Sequence, residues 1–173
     1  MRNEQDMRKR MLDNATLDPR ILRNAFGTFA TGVTVVTMLD ADGCPTGVTV
    51  NSFASLSLDP ALCLFSLGRN QVSRSWIDQG SPFTINVLAA AQEEVAWAFA
   101  KPRADKFDGI ASNPGKAVEV PAIAGTLGRF ECRLWQKYDG GDHDLIIGEV
   151  LHAEHGEGEP LLFFRGAMAG LVN

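Results

Sequence analysis

Thr46-Gly47-Val48-Thr49-Val50-Asn51-Ser52-Phe53-Ala54-Ser55-Leu56-Ser57-Leu58-Asp59-Pro60 runs directly into the apolar segment Ala61-Leu62-Cys63-Leu64-Phe65-Ser66-Leu67. Val48 and Val50 alternate with Thr49 and Asn51, which predicts a strand with one face in a core and the other presenting donors and acceptors. The residues after Asn51 are crowded with hydroxyls and close on the turn signal Asp59-Pro60. The stretch therefore reads as strand, polar loop, strand. The second strand, Ala61 to Leu67, lacks alternation and is expected to be buried on both faces. Two strands bracketing a loop of hydroxyls and one amide can hold a flat polar molecule against backbone groups.

Working outward, Val33 to Leu39 is β-branched and apolar enough for a central strand, and Asp40-Ala41-Asp42-Gly43 turns it back into the Thr46 strand as a hairpin. Before it, Asp18 and Pro19 read as the N-cap and first position of a helix that puts Leu22, Phe26 and Phe29 on one face. That helix is expected to pack on the sheet and to end before Thr31-Gly32. Residues 1 to 16 mix both charges with few large apolar groups and read as a flexible arm. On the other side, Val72 to Gln79 forms a short helix whose start, near Ser73, favours an anion. Pro82 to Leu88 alternates as a strand, and Ala91 to Phe99 is a helix with Val95, Ala98 and Phe99 inward. Gly109 to Pro121 reads as a surface loop. Gly125 to Lys137 and Leu145 to Glu154 form a long hairpin around Tyr138-Asp139-Gly140-Gly141-Asp142-His143-Asp144, and Leu161 to Arg165 is a last strand. Successive short strands with few helices and no βαβ rhythm predict a mainly β, antiparallel barrel with peripheral helices.

Length and composition fit this class. A chain of 173 residues suits one domain with a substantial core. Hydrophobic residues at 45%, charged residues at 21%, 17 glycines and 8 prolines describe a turn-rich globular protein. A formal net charge of −5 argues against a general phosphate-backbone binder, so no nucleic-acid partner is expected. The N-terminus lacks the apolar region of a secretory signal and no apolar run approaches the ~20 residues that cross a bilayer, so a cytoplasmic protein is expected. Three widely spaced cysteines, Cys44, Cys63 and Cys132, with no Cys-x-x-Cys pair, read as thiols in a reducing compartment.

The missing motifs narrow the chemistry. There is no Gly-x-Gly-x-x-Gly after a strand, no Walker loop and no Gly-x-Ser-x-Gly elbow, which argues against a Rossmann site, a P-loop and a serine hydrolase. His152 and His155, three apart on a strand, face opposite sides, so no metal site is expected. His143, between Asp142 and Asp144 in a tight loop, is by default a solvated histidine. Phe53 and Phe107 either cover a bound ring or fill the core, and Phe107, in a charged loop beginning at Lys101, is the better candidate for a ring. Trp76, Trp97 and Trp135 are read as packing residues.

The opening stretch also resembles the flavin reductase family of FMN-binding split barrels. Phe29-Ala30-Thr31-Gly32-Val33-Thr34-Val35-Val36-Thr37, Gly141-Asp142-His143 and Leu162-Phe163-Phe164-Arg165-Gly166 follow in that family's order, and the resemblance covers Leu17 to Gly170. It implies a Greek-key-like split-barrel domain over residues 17 to 173 and an NAD(P)H:flavin oxidoreductase. Such an enzyme reduces FMN or FAD with NADH or NADPH and supplies reduced flavin to a partner monooxygenase. It implies a homodimer as well. The resemblance assigns Thr31, Thr49, Val50, Asn51, Ser52 and Ser55 to the flavin, with Ser66, Leu67, Arg69 and Ser73 toward the ribityl chain and phosphate and Lys101 and Phe107 alongside. His143 falls on the nicotinamide side as a substrate-positioning group. Two alternatives stay open, a flavin-binding electron carrier of the same fold and a pyridoxamine-phosphate-oxidase-like enzyme. The carrier has no need of His143, and the oxidase needs more Arg and Lys around its phosphates than these loops offer.

Overall fold

The computed structural model describes residues 18–78, 82–102 and 105–171. The arm expected over residues 1 to 16 lies outside them. In chain order the elements are α1 (Pro19–Phe26), β1 (Thr31–Gly32), β2 (Thr34–Leu39), β3 (Pro45–Val50), β4 (Ala54–Leu58), β5 (Ala61–Gly68), α2 (Ser73–Asp78) and β6 (Phe83–Val87). A single 3-10 turn (Ala90–Gln92) then leads into α3 (Glu93–Ala100), β7 (Ser112–Asn113), β8 (Ala122–Ile123), β9 (Gly128–Asp139), β10 (His143–His155), β11 (Leu162–Phe164) and β12 (Ala167–Ala169).

Seven strands form one antiparallel sheet in the order β3-β2-β6-β9-β10-β5-β4, while β1-β11-β12 and β7-β8 make two smaller ones. The mainly β, antiparallel expectation is borne out. β3 and β4 are the two edges of the large sheet, yet only Asn51, Ser52 and Phe53 connect them. A flat seven-stranded sheet is about 29 Å wide at about 4.8 Å per strand, and that connection spans about 14 Å at most. The sheet must therefore curl until its edges approach without pairing. Asn51 and Ser52 lie at the split.

Two clusters fill the interior. Val36, Met38, Phe65, Leu67, Ile77, Phe83, Ile85 and Ile146 pack inside the curled sheet, and Val33, Val35, Leu88, Ala96, Phe99, Ile123 and Leu161 pack between its outer face and α3. β2 contributes to both, which is why Val33 through Met38 are buried without a break. The buried Asn86 side chain links strands to the β8 segment, donating to Val35 O at 3.0 Å and accepting from Ile123 N at 2.9 Å. Glu131 is fully buried and accepts the backbone N–H groups of Lys116, Ala117 and Val118.

Several expectations need correction. The loop expected from Ser52 to Asp59 is mostly a strand, because β4 pairs with β5 from Ala54↔Leu64 to Leu58↔Ala61. β5 alternates, with Cys63, Phe65 and Leu67 buried between half-exposed neighbours, since only one of its faces is covered. β6 does the reverse. Phe83 through Asn86 are all buried, because the β8 segment covers its second face. The Gly109 to Pro121 stretch carries the buried Val118 and Val120, drawn in by Glu131. Trp97 and Trp135 are exposed, so neither is a core residue, and β12 is a strand beyond those expected. α1 begins as expected, with the Asp18 carboxylate accepting from Arg20 N at 2.8 Å. It does not pack on the sheet, however, for Phe26 is 70% and Phe29 76% exposed. No helix among the described residues is long and apolar enough to cross a membrane.

Candidate functional site

The chain connecting α1 to β1 and the chain crossing the split meet at one cavity of about 890 Å³. Thr31 and Asn51 line it together with Arg23 and Phe26 from α1, Phe29 from the connection after it, and Phe163 and Arg165 from the β11–β12 hairpin. Thr31 is positioned by pairing with Phe163 across β1 and β11. Its Oγ1 is buried and has no hydrogen-bond partner among the described residues. Buried hydroxyls are nearly always satisfied, so an unpartnered one on a residue that lines a ligand-sized space marks this wall as a candidate for polar binding. Asn51, just past the end of β3, is exposed and brings its amide to the same cavity.

Ser52 and Ser66 form a second pair. Ser52 Oγ accepts from Ser66 N at 2.9 Å and donates to Ser66 O at 3.4 Å, which clamps the connection onto β5. Thr49, three residues before Ser52, spends its hydroxyl on Ala96 O of α3 at 2.6 Å, and the Val50 side chain is buried in the interior. Neither presents a side chain to the cavity. Leu67 is likewise a core residue, and Ser55, on edge strand β4, pairs across to Cys63.

The far ends of β5 and β10 hold the remaining polar group. His143 is the first residue of β10 and pairs with Gly68, so it belongs to a strand end and not to the tight loop expected. Its Nδ1 lies 2.7 Å from Asp142 Oδ1, a contact that holds the Asp142 carboxyl below its usual range. Next to it, Asp144 points inward and is met by Lys137 Nζ at 2.9 Å, Arg69 Nε at 3.4 Å and the Arg74 guanidinium. Lys137 above all, and then Arg74, press its carboxyl down to about 2. Arg69 also pairs with Asp139 at 2.7 Å, and its backbone N–H donates to Asp142 O at 2.9 Å. Its guanidinium is thereby bound to two acids of its own chain.

Ser73 is buried at the start of α2, a helix of six residues. Lys101 is exposed beyond α3, with Nζ 5.8 Å from the centre of the Trp97 ring. Phe107 packs edge-on against Phe99, ring centres 5.2 Å apart, in the outer core cluster, so it fills the core. Cys63 and Cys132 are buried with sulfurs 3.8 Å apart, and the hydrogen bond to Cys63 and then burial push the Cys132 thiol up. Among the described residues no cluster of three or more His, Cys, Asp or Glu could hold a metal ion.

The structure thus joins Thr31 to Asn51, Ser52 to Ser66, and Arg69 to the His143 segment, and it leaves Thr49, Ser55, Lys101 and Phe107 apart. The sequence reading missed Arg23, Phe163 and Arg165 as cavity residues. A usable signal was Arg165-Gly166 between two short apolar runs, a hairpin-turn pattern.

Comparison with known proteins agrees with this architecture. Residues 26–171 match the profile of the flavin reductase like domain. The FMN reductase (NADH) of Agrobacterium fabrum is 47% identical over 150 residues, covering 86% of this chain and 83% of that protein. The reductase component of the flavin-dependent trigonelline monooxygenase of Acinetobacter baylyi is 42% identical over 148 residues, covering 86% of this chain but 47% of that protein. Among solved structures, the Streptomyces globisporus NADH:FAD oxidoreductase in complex with NAD and FAD fragments superposes with a TM-score of 0.84 at 38% identity, covering 89% of this chain and 93% of its own. With the profile spanning nearly the whole described fold and relatives this similar, the chain belongs to the flavin reductase like family.

Proposed function

We propose that this protein is an NADH-dependent flavin reductase that reduces FMN or FAD and delivers the reduced flavin to a partner monooxygenase. The observation that carries the reading is the cavity at the split of the sheet, which Asn51 lines together with Thr31, whose buried hydroxyl has no partner among the described residues. A flavin ring fits that donor set. Its carbonyl edge needs a donor, which the exposed Asn51 amide supplies, and its flat apolar body needs walls such as Phe26, Phe29 and Phe163. When bound, the flavin supplies the hydride acceptor. The protein's part is to hold two rings in register and exclude water, so its contribution is mainly proximity and orientation.

Ser52 and Ser66 act by fixing the connection that carries Asn51. His143 positions the nicotinamide, with Asp142 orienting its ring through Nδ1. Hydride transfer needs no proton from the chain, because solvent can protonate the reduced flavin. Arg69, paired with Asp139 and Asp144, holds the segment carrying His143 in place.

The apolar residues exposed on α1 and after it, Ile21, Phe26 and Phe29, are covered by a second copy in a homodimer. The protein is cytoplasmic, where NADH and a partner oxygenase are available. Steady-state NADH oxidation with added FMN or FAD tests the function. Turnover that rises to saturation with flavin supports it, and no flavin-dependent oxidation of NADH or NADPH would refute it.

A further inference from the structure

We infer that Arg165 is an anion-binding residue of the cavity, taking a phosphoryl group of the bound nucleotide; this rests on the reading above that flavin and a nicotinamide dinucleotide are the ligands. The turn joining β11 to β12 is Arg165-Gly166, and both residues have positive φ, 49° and 84°. Two-residue hairpin turns of this kind favour Asn-Gly, Asp-Gly or Gly-Gly, since a larger side chain crowds its own backbone there. Arg165 is the one non-glycine residue with positive φ among the described residues. Such outliers persist where the surrounding structure enforces them, and they concentrate at ligand-binding positions.

The surroundings do enforce this one. Arg165 N–H donates to Gly27 O at 2.8 Å, tying the turn to the end of α1, and the guanidinium carbon lies 5.2 Å from the centre of the Phe164 ring. No carboxylate among the described residues pairs with it. Arg69, the residue expected to meet a phosphate, has both of its acids already. Arg165 therefore has what Arg69 lacks, namely a place on the cavity wall and an unspent charge, with Arg23 as a second cation on the same wall. A planar guanidinium beside an aromatic-walled space suits a phosphoryl group attached to a flat ring. The flavin and the dinucleotide both carry one, so the shared chemistry is a nucleotide phosphate.

The test uses Arg165→Gly, which removes the guanidinium while keeping a backbone at ease with positive φ, and Arg165→Lys, which keeps the charge. Binding of FMN and of riboflavin, which lacks the phosphate, is measured by flavin fluorescence. KM for NADH is measured by turnover, and binding of inorganic pyrophosphate by calorimetry. Loss of one charge-assisted contact weakens binding by about 10-fold. If the flavin phosphate is the ligand, Arg165→Gly weakens FMN by about that factor, leaves riboflavin unchanged, and Arg165→Lys recovers most of the loss. If the dinucleotide is the ligand, FMN is unchanged while KM for NADH rises by that factor and pyrophosphate binding weakens. Unchanged FMN, NADH and pyrophosphate values overturn the inference, and so does riboflavin weakening as much as FMN, which would make Arg165 a shaper of the cavity. Were wild type to oxidise no NADH, the proposed function would fall while the pyrophosphate measurement still decided the role of Arg165.

Discussion

Replacing Asp144 with Asn keeps the shape of the side chain and removes the charge on which three cations converge. The carboxylate is 3% exposed, so water does little for it, whereas the side chains of Arg69, Arg74 and Lys137 are 41%, 35% and 18% exposed. Removing one member of a fully buried ion pair costs about 3 to 5 kcal/mol. Here the cations regain some hydration, and Arg69 keeps Asp139 at 2.7 Å, so the loss is about 2 to 3 kcal/mol. The pH dependence gives a sharper check. The folded carboxyl is lowered to about 2, against about 3.9 in an unfolded chain, so its contribution is fully present above about pH 4 and is lost as pH falls toward 2. The Asn variant has nothing to titrate at this position. Urea unfolding followed by tryptophan fluorescence should therefore show a gap between wild type and variant that is widest at neutral pH and narrows below about pH 4. A gap under 0.5 kcal/mol at pH 7, as an order of magnitude for an unimportant surface pair, would refute the hub, as would a gap that ignores pH.

Three further outcomes are expected. His143→Ala should raise KM for NADH and leave flavin affinity near that of wild type, as the role proposed for it on the nicotinamide side requires; stopped-flow reduction with unchanged saturation and limiting rate would make His143 a structural residue. Gly148→Ala should lower stability by about 1 to 3 kcal/mol, since a Cβ there would lie 2.7 Å from Phe83 Cζ and 3.2 Å from Cys132 Cβ; thermal unfolding at the wild-type temperature would show that the core yields. Phe29→Asp should convert a dimer to a monomer in sedimentation, and a wild-type protein that sediments as a monomer would leave its exposed ring unexplained.

The β2–β3 and β9–β10 hairpins were legible because alternation and turn chemistry are local. Val48 to Asn51 and the Asp40 to Gly43 turn specify a hairpin without outside help. What failed depended on partners distant in sequence. Ser55, Leu56 and Ser57 look like a loop until β5 lies alongside them, and Asn86 looks solvent-facing until the backbone of Ile123 arrives to donate to it. Hydroxyls were the least legible part of the site. Nothing local tells Thr49, whose hydroxyl bonds Ala96 O within α3, from Thr31, whose hydroxyl has no partner among the described residues. The Phe26 and Phe29 pattern correctly announced an apolar face and could not say what covers it.

His143 and Asp144 show how little separates an exposed side chain from a buried one in this fold. They are neighbours in sequence on one strand, yet the first is exposed beside Gly68 and the second is buried opposite Leu67. Alternation alone produces the difference. A slip of β10 by one residue would bury the imidazole among Arg69, Arg74 and Lys137, where a cation is repelled, and would turn the carboxylate outward. Two features hold the register against that slip. Ile146 and Gly148 share the inward face with Asp144, and Gly148 alone gives the Phe83 ring room to pass. On the facing strand, Cys63, Phe65 and Leu67 are buried while Leu62, Leu64 and Ser66 are not, so a displaced pairing would move apolar side chains from the core toward water. The position of the histidine is thus fixed by burial several residues away, and the acid beside it converts that register into charge by gathering cations from the β5–α2 connection, α2 and β9.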